Sequence, residues 1–335
     1  MELAWYVLLG AFFAAYLVLG GYDYGVGLLL ARPADPAARR GLLTAVGPFF
    51  LGNEVWLIAA VGLLFGAFPL LEGELLAGLY PAFAGALAGV VLVTAGVQLR
   101  SRPTGARARA TWDGVIVAGS ALAASGWGAV LAGMLQGVPL NADGRVIGTG
   151  HLFTPFAALA ALTTVALVAV HGAMFLALRL PVAAAGPVAA LGRRLVPVAL
   201  VATLATTVVG LLSDRVRDAA QQPYVALALP VLLGVALGVA LVASARRRPG
   251  LAFAATSAAL ALPVFLVGAT LWPYALHSTL DPAASLTVAD AAASGPTLRL
   301  LGWLTAPLLP ALLGFQVMLW WVFRGRTGGR APVYW

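Results

Sequence analysis

Residues 224–248 read YVALALPVLLGVALGVALVASARRR, a run of about twenty apolar residues followed by three arginines. A helix of this length crosses the hydrocarbon core of a bilayer, which is about 30 Å thick. Arginines beside a span favour the cytoplasmic side of the membrane. The stretch therefore predicts a transmembrane helix whose C-terminal end lies at the cytoplasmic surface.

The same pattern recurs along the whole chain of 335 residues, of which 61% are hydrophobic and 10% are charged. Soluble domains carry about 25% charged residues. A strand-built barrel would show alternating segments of about ten residues, which are absent here. We therefore predict an all-α polytopic membrane protein with about nine transmembrane helices. The predicted spans are 4–30, 43–69, 78–98, 114–135, 153–178, 195–213, 224–243, 251–272 and 299–323.

The net charge of +8 comes from arginine alone, since the chain has no lysine. Sixteen of the twenty arginines lie in the loops and tail that nine spans would place on one side: Arg32, Arg39, Arg40, Arg100, Arg102, Arg107, Arg109, Arg179, Arg193, Arg194, Arg246, Arg247, Arg248, Arg324, Arg326 and Arg330. This alternation predicts an N-terminus outside and a C-terminus in the cytoplasm. It also explains the basic charge without nucleic acid, because no basic face exists outside the spans.

No loop is long enough to form a soluble domain, so we expect one membrane domain over 1–335. The Pro-, Ala- and Gly-rich stretch 181–194 is interpreted as a joint between an N-terminal helical half, 1–180, and a C-terminal helical half, 190–335. The N-terminus lacks a basic segment and a cleavage site, so the first span is expected to be retained.

Two acidic residues lie well inside the predicted spans, Asp23 and Glu54. Ionisable groups at this depth are costly and usually functional. Neither has a basic residue in its own span, so each needs a partner from another helix, a cation, water or its own proton. Two interpretations stay open: each carboxyl only fixes helix packing, or it serves as a proton, cation or quinone-linked group. Asn53 and Trp56 flank Glu54 and are candidate cofactor-binding residues.

The three histidines argue against a haem held by this chain. His151, His171 and His277 fall at scattered depths and none is paired with a methionine, which makes a poor set of axial ligands. Cysteine is absent, which excludes disulfides, thiolate metal sites and iron–sulfur clusters. We predict no metal site.

Four passages nevertheless resemble subunit II of the cytochrome bd-type quinol oxidases. The passages are GYDYGVG at 21–27, GNEVWL at 52–57 with LFGAFP at 64–69, Trp112-Asp113 with Gly119-Ser120 and LQGVP at 135–139, and WPY at 272–274 with ASLTVADA at 284–291. They span most of the chain in the order of the family.

The resemblance implies two four-helix bundles plus one extra helix, and a tight heterodimer with a haem-bearing subunit I. The complex would be an electrogenic quinol:oxygen oxidoreductase of the respiratory chain in a bacterial plasma membrane. Haems b and d would reside in the partner, and this chain would stabilise that partner and contribute to a proton path. A structural quinone and a small accessory single-span subunit are further implied possibilities, while the identity of the quinone is not encoded in the motifs.

The chain departs from the family pattern at one informative position. The family usually reads W-D-G-N where this chain has Phe50-Leu51-Gly52-Asn53, so the aspartate proposed to admit protons is replaced by Leu51. Glu54 lies three residues further on and on nearly the same helix face. We predict that Glu54 takes over the proton role. A secondary transporter and a structural membrane scaffold remain the alternatives, since both also use intramembrane polar groups.

Overall fold

The computed structural model describes residues 1–33, 35–102 and 105–327. Nine helices in this part of the chain are long and apolar enough to cross a membrane, which confirms the predicted number. They are α1 (Glu2–Leu29), α3 (Phe50–Ala67), α5 (Tyr80–Leu99), α6 (Ala106–Gln136), α7 (Pro155–Arg179), α8 (Val182–Leu212), α10 (Pro223–Ala245), α11 (Pro249–Leu271) and α13 (Gly295–Val322). Arg330, one of the arginines of the predicted cytoplasmic tail, lies outside the described residues.

Four shorter α-helices, two 3₁₀ helices (Gly150–Leu152 and Pro282–Ala284) and two strands complete the secondary structure of the described residues. The α-helices are α2 (Pro36–Val46), α4 (Pro69–Gly78), α9 (Asp214–Ala219) and α12 (Val288–Ala291), and the strands are β1 (Tyr274–Leu276) and β2 (Leu286–Thr287), which pair antiparallel. Local chemistry explains several helix starts. Asp35 caps α2 by accepting from the backbone N–H groups of Ala37 and Ala38, and Thr154 caps α7 by accepting from that of Ala157.

The sixth spanning helix differs most from the prediction. It begins at Val182 rather than at 195, so 182–194 is helical, and the break between α7 and α8 is confined to Leu180 and Pro181. The stretch is rich in alanine, which is the strongest helix former. The helix therefore starts before the apolar span and includes Arg193 and Arg194. The division into halves 1–180 and 190–335 stays a prediction.

Helix contacts arrange the spans in two groups. In the second half of the chain α7 packs on α8, α8 on α10, α10 on α11, and α11 back on α7. In the first half α1 packs on α3 and α6, α5 packs on α6, and a hydrogen bond from Thr94 to Glu54 connects α5 with α3. Helix α13 packs on α3. This pattern is the one expected for two four-helix bundles with one added helix.

Helix α1 joins the two groups, because it also contacts α7 and α11. Glycines at the α1–α7 crossing allow the backbones to approach closely. A β-carbon on Gly25 would lie 2.0 Å from the carbonyl oxygen of Val168, and one on Gly172 would lie 2.4 Å from the carbonyl carbon of Gly25. Small residues play this role at many membrane helix interfaces.

Contacts between loops agree with the alternation that nine spans require. On the side of the N-terminus, which is the predicted outer side, Ala293 N–H donates to the carbonyl of Ala67, and Val138 N–H donates to that of His277. On the opposite side, the predicted cytoplasmic side, Asp113 at the start of α6 pairs with Arg39 of α2. The loops that should share a side are therefore in contact.

Candidate functional site

Asp23 lies in the half of α1 nearer the predicted cytoplasmic side and is 5% exposed. Its carboxyl oxygen Oδ2 accepts a hydrogen bond of 2.9 Å from Asn53 Nδ2. The structure thus supplies the partner from another helix that the sequence required, since Asn53 belongs to α3. The other oxygen, Asp23 Oδ1, is buried and has no hydrogen-bond partner among the described residues.

Asn53 is fully buried and uses both ends of its amide. Its Nδ2 also donates to the carbonyl oxygen of Leu19, at 3.2 Å, while its Oδ1 accepts from the hydroxyl of Tyr22, at 3.0 Å. Asn53 therefore binds three groups of α1 at once. An amide with these contacts holds Asp23 in one orientation and fixes how α1 and α3 are rotated against each other.

Glu54, the neighbour of Asn53, faces a different helix. Its Oε1 accepts a 2.5 Å hydrogen bond from the hydroxyl of Thr94 in α5, and its side chain is partly buried. Leu51, where the family has its aspartate, is 59% exposed one turn earlier on α3. Asn53 and Glu54 are consecutive residues. The hydrogen bond between Asn53 and Asp23 therefore connects the two predicted proton groups, Asp23 and Glu54, through the side chain of one residue and one peptide bond.

Trp56 connects α3 with α13. Its Nε1 donates to Gln316 Oε1 at 3.2 Å, and its ring packs edge-on against Phe12. One turn earlier on α3, a β-carbon on Gly52 would lie 2.9 Å from the side chain of Leu319, so α13 also approaches closely there. These contacts give Trp56 and Asn53 clear packing functions, and their role in cofactor binding stays a prediction.

An aromatic cluster surrounds Asp23, and the sequence analysis had not singled it out. The Tyr22 ring stacks on Phe175 with centroids 4.2 Å apart and an interplanar angle of 1°. The hydroxyls of Tyr16 and Tyr24 are hydrogen-bonded to each other, and Trp127 Nε1 donates to Tyr16 at 3.1 Å. The only sequence signal was the placement of two tyrosines directly beside Asp23.

His171 is fully buried and is occupied by protein partners. Its Nε2 lies 3.0 Å from the carbonyl oxygen of Val18, and its Nδ1 lies 2.7 Å from the hydroxyl of Thr256. A carbonyl only accepts, so Nε2 carries the proton and Nδ1 is the acceptor in the neutral ring. His171 thereby joins α1, α7 and α11. Within the described residues no three His, Cys, Asp or Glu side chains converge to hold a metal ion.

A buried ion network lies at the predicted cytoplasmic end. Asp113, 6% exposed, pairs with Arg100, which is 5% exposed, and with Arg39 at 3.0 Å. The three residues come from α6, the end of α5 and α2, so the network fastens the first loop to the first bundle. The Trp112-Asp113 motif contained this aspartate, but its two partners are visible only in the structure.

A large apolar cavity, of about 480 Å³, opens between α1, α3, α6 and α11 in the half of the membrane nearer the predicted outer side. Aromatic side chains in its wall include Tyr6, Phe13, Trp127 and Trp272. Its volume lies in the range of ligand sites for organic cofactors, about 300–1,000 Å³. Asn53 and Trp56 do not line this cavity.

Comparison with known proteins now assigns a family. The family model described as "Cytochrome bd terminal oxidase subunit II" matches residues 1–323. The chain belongs to this family. It is 30% identical to the "Cytochrome bd-I ubiquinol oxidase subunit 2" of Escherichia coli strain K12, over 97% of this chain and 95% of that protein. It is 27% identical to the "Cytochrome bd ubiquinol oxidase subunit 2" of Bacillus subtilis, over 98% and 97%.

A solved structure shows the same fold. The chain matches a chain in "The structure of bd oxidase from Geobacillus thermodenitrificans" with a TM-score of 0.75 and 20% identity, over 96% of this chain and 98% of that one. The family relation confirms the resemblance seen in the four sequence motifs. This multi-pass membrane protein therefore belongs to a respiratory oxidoreductase complex, and family membership favours that interpretation over a transporter or a scaffold.

Proposed function

We propose that this chain is the non-haem subunit of a quinol:oxygen oxidoreductase and that it stabilises a subunit I that carries haems b and d. The observation that supports haems in the partner subunit is the hydrogen bonding of His171. The one histidine deep in the helix bundle has both ring nitrogens engaged by Val18 and Thr256, so neither is available to ligate an iron. The haems then belong to the partner, whose chemistry is the transfer of electrons from quinol to oxygen.

The surface that meets subunit I would be formed by α3 and α13. Leu51, Ile58 and Phe65 recur along α3 at intervals of two turns and are 59%, 69% and 52% exposed. Helix α13 has only Leu298 and Leu319 buried, although it spans the membrane. In lipid such a surface needs no cover, but Glu54 lies beside it. A partly buried carboxyl at the edge of an apolar surface is well placed to exchange protons with a partner chain.

Asp23, Asn53 and Glu54 are the proposed proton group. An ionised carboxylate buried without a counter-charge is costly. Arginines of the described residues that pair with carboxylates do so elsewhere, as Arg100 does with Asp113. A proton or a bound cation on Asp23 removes that cost, and Asn53 connects Asp23 to the segment that carries Glu54. Glu54 would then replace the acid that is missing at Leu51.

Replacing Glu54 by Gln in the assembled oxidase tests the proton role. The amide keeps the size of the side chain and still accepts from Thr94, so assembly and haem spectra should stay normal while turnover falls at least tenfold. Glu72→Gln is the matched control, because Glu72 lies in α4 outside the spanning helices. Wild-type turnover and wild-type proton release in Glu54→Gln would refute the proton role of Glu54.

The apolar cavity is the proposed place for a structural quinone. Its wall is apolar enough for an isoprenoid tail, and the Tyr6 hydroxyl and the Trp127 ring offer polar and stacking contacts to a head group. Gly10 lines the cavity, and no atom lies within 4 Å of the position that a β-carbon would take there, so Gly10→Phe should fill the space without disturbing the helices. Loss of co-purified quinone from that variant, measured by extraction and chromatography, is expected; an unchanged quinone content would refute this location.

The orientation of the chain is also a proposal, with the N-terminus outside and the C-terminus in the cytoplasm. The absence of cysteine makes the test clean, because a single introduced cysteine is the only thiol in the chain. Asn141→Cys, in the loop after α6, should react with a membrane-impermeant maleimide on intact cells. Arg247→Cys, between α10 and α11, should react only after the cells are opened. The reverse pattern of labelling would show the opposite orientation.

The remaining partners follow from the same assignment. Quinol would be oxidised by the complex near the outer face, and the bilayer would cover the rest of the helix surface. A small accessory single-span subunit would need an apolar surface of its own, and Val201, Leu204 and Val231 are exposed on α8 and α10. Mass spectrometry of the intact complex would count the chains, and a mass equal to two subunits would exclude the accessory one.

A further inference from the structure

Six threonines line a cavity of about 130 Å³ between α6 and the ring formed by α7, α8, α10 and α11: Thr163, Thr164, Thr203, Thr206, Thr207 and Thr270. Most of these hydroxyls have protein partners. Thr163 and Thr206 are hydrogen-bonded to each other at 2.8 Å. Thr164 and Thr207 each donate to a carbonyl one turn back on their own helix, at 2.9 Å. This is the usual arrangement for threonine in a membrane helix.

Thr203 and Thr270 are different. Their hydroxyl oxygens are buried and have no hydrogen-bond partner among the described residues, although the two residues are only 9% and 1% exposed. Thr203 belongs to α8 and Thr270 to α11, which stand at opposite corners of the four-helix ring. Burying a hydroxyl without a hydrogen bond costs about 1–3 kcal/mol in proteins. Both residues line the same cavity.

A proline adds a third polar group to the cavity wall. Pro230 lies inside α10 and has no N–H, so the carbonyl of Ala226, one turn earlier, loses its helical donor. Ala226 and Pro230 both line the cavity. In membrane helices such freed carbonyls are satisfied by side chains of neighbouring helices or by ordered water. The cavity therefore offers two hydroxyls and one carbonyl from three different helices.

We propose that this cavity is a binding site for a small cluster of water molecules that bridges α8, α10 and α11. One water needs about 10–15 Å³ of such cavity space and two to four polar partners, so the volume admits several waters. Hydrogen bonds through this cluster satisfy Thr203, Thr270 and the Ala226 carbonyl together. The site is independent of the proposed proton role of Asp23 and Glu54, because neither residue lines the cavity.

The cavity begins near the predicted outer ends of its helices. Val216 of α9 lines the cavity at that end, and the N–H groups of Gln221 and Gln222 donate to the carbonyl oxygen of Thr270, at 2.9 and 3.1 Å. Thr203 lies nine residues before the end of α8 at Leu212. That separation is about 13 Å along the helix. The polar site therefore reaches from the outer end of α11 deep into the membrane.

X-ray radiolytic footprinting of the intact complex tests the proposal, because radicals formed from internal water oxidise the side chains in contact with it. Phe156 and Leu233 line the cavity and are 6% exposed. We expect both to be labelled in the wild-type complex, and the label to fall at least threefold in the double variant Thr203→Val, Thr270→Val. Thr207→Val is the matched control, since its hydroxyl is bonded within its own helix, and it should keep the label.

A double-mutant cycle measured by thermal unfolding supplies a second readout. The shift in Tm has opposite signs for a hydrated and for a dry cavity. In a hydrated cavity, Thr203→Val and Thr270→Val each remove a ligand of the shared cluster, so each lowers the Tm, and the double variant lowers it by less than the sum. In a dry cavity each substitution removes an unsatisfied buried hydroxyl, so each raises the Tm and the two shifts add. The second pattern, or an unlabelled Phe156 in the wild-type complex, would overturn the proposal.

Discussion

The amide of Asn53 in α3 donates a 2.9 Å hydrogen bond to the carboxyl of Asp23 in α1, and both side chains are buried. One amide thus positions the only acidic residue of α1 that lies deep in the membrane. Because Asn53 also binds Tyr22 and Leu19, it fixes α1 and α3 relative to each other. The orientation of the proposed proton group and the packing of α1 on α3 consequently depend on the same residue.

Replacing Asn53 by Leu should destabilise the complex. Asp23, Tyr22 and the Leu19 carbonyl all lose their partner in a buried place, and each unsatisfied group costs about 1–3 kcal/mol. We expect a lower Tm and a smaller yield of complex with intact haem spectra. Ser125→Ala is the control, because Ser125 donates only to Leu122 of its own helix and is bonded at the surface. Wild-type thermal stability of Asn53→Leu would show that the network does not hold the helices.

Replacing Gly25 by Ala should separate α1 from α7. The new methyl group would lie 2.0 Å from the Val168 carbonyl oxygen and 2.7 Å from the backbone of Gly172, and neither is a flexible side chain that can move away. Overpacking costs about 1–3 kcal/mol or more, so little complex should assemble. Gly62→Ala in α3 is the matched control, since nothing lies within 4 Å of its β-carbon position. A normal yield of the Gly25→Ala complex, measured by haem absorbance in membranes, would contradict the close approach of α1 and α7.

Replacing Asp113 by Asn should strongly destabilise the predicted cytoplasmic end of the first bundle. The substitution leaves Arg100 buried without its counter-ion, and breaking a buried ion pair in this way costs about 3–5 kcal/mol. The exposed pair between Asp214 and Arg217 is a natural control. Asp214→Asn should change stability by about 0–1 kcal/mol. Equal unfolding temperatures of the two variants would show that the buried network contributes nothing.

The loop between α11 and α13 should loosen at acidic pH. The pKa of His277 is lowered from its ordinary value, first because burial penalises the charged ring, while Asp218 acts in the opposite direction. The unfolded loop therefore binds a proton more readily than the packed loop, and packing is most favourable above the ordinary histidine pKa of about 6.5. Stability is lost as the pH falls below that value. The pKa of His151, in the loop before α7, is lowered too, chiefly by burial and then by Arg215, so it adds to the same trend.

Hydrogen exchange of the Val138 amide measures this loosening, since that N–H donates to the His277 carbonyl at 2.9 Å. After correction for the intrinsic pH dependence of exchange, protection should fall as the solution is acidified below the ordinary histidine pKa of about 6.5. His277→Gln cannot take up a proton and should flatten most of that change. A protection factor that is independent of pH in the wild-type complex would refute the expected loosening.

Hydropathy along the chain was sufficient for the number of spans, because crossing about 30 Å of hydrocarbon demands an uninterrupted apolar helix whatever its neighbours are. The same local signal missed the first part of α8, Val182–Leu212. The predicted span began directly after Arg193 and Arg194, whereas the helix starts before them. It also missed α2 and α4 as separate elements, since short helices at the ends of spans leave no hydropathy signature of their own.

Composition and order of residues by themselves determined that the described part of the chain holds nine spans, which of its loops share a side, and that Asp23 and Glu54 are acids inside the spans. Only the tertiary structure decided what those acids touch. Asp23 meets Asn53, and Glu54 meets Thr94, although 30 and 40 residues separate them in the chain. Such pairs depend on how each helix is rotated about its axis. That rotation is set by close contacts such as Gly25 against Gly172, and no single span encodes it alone.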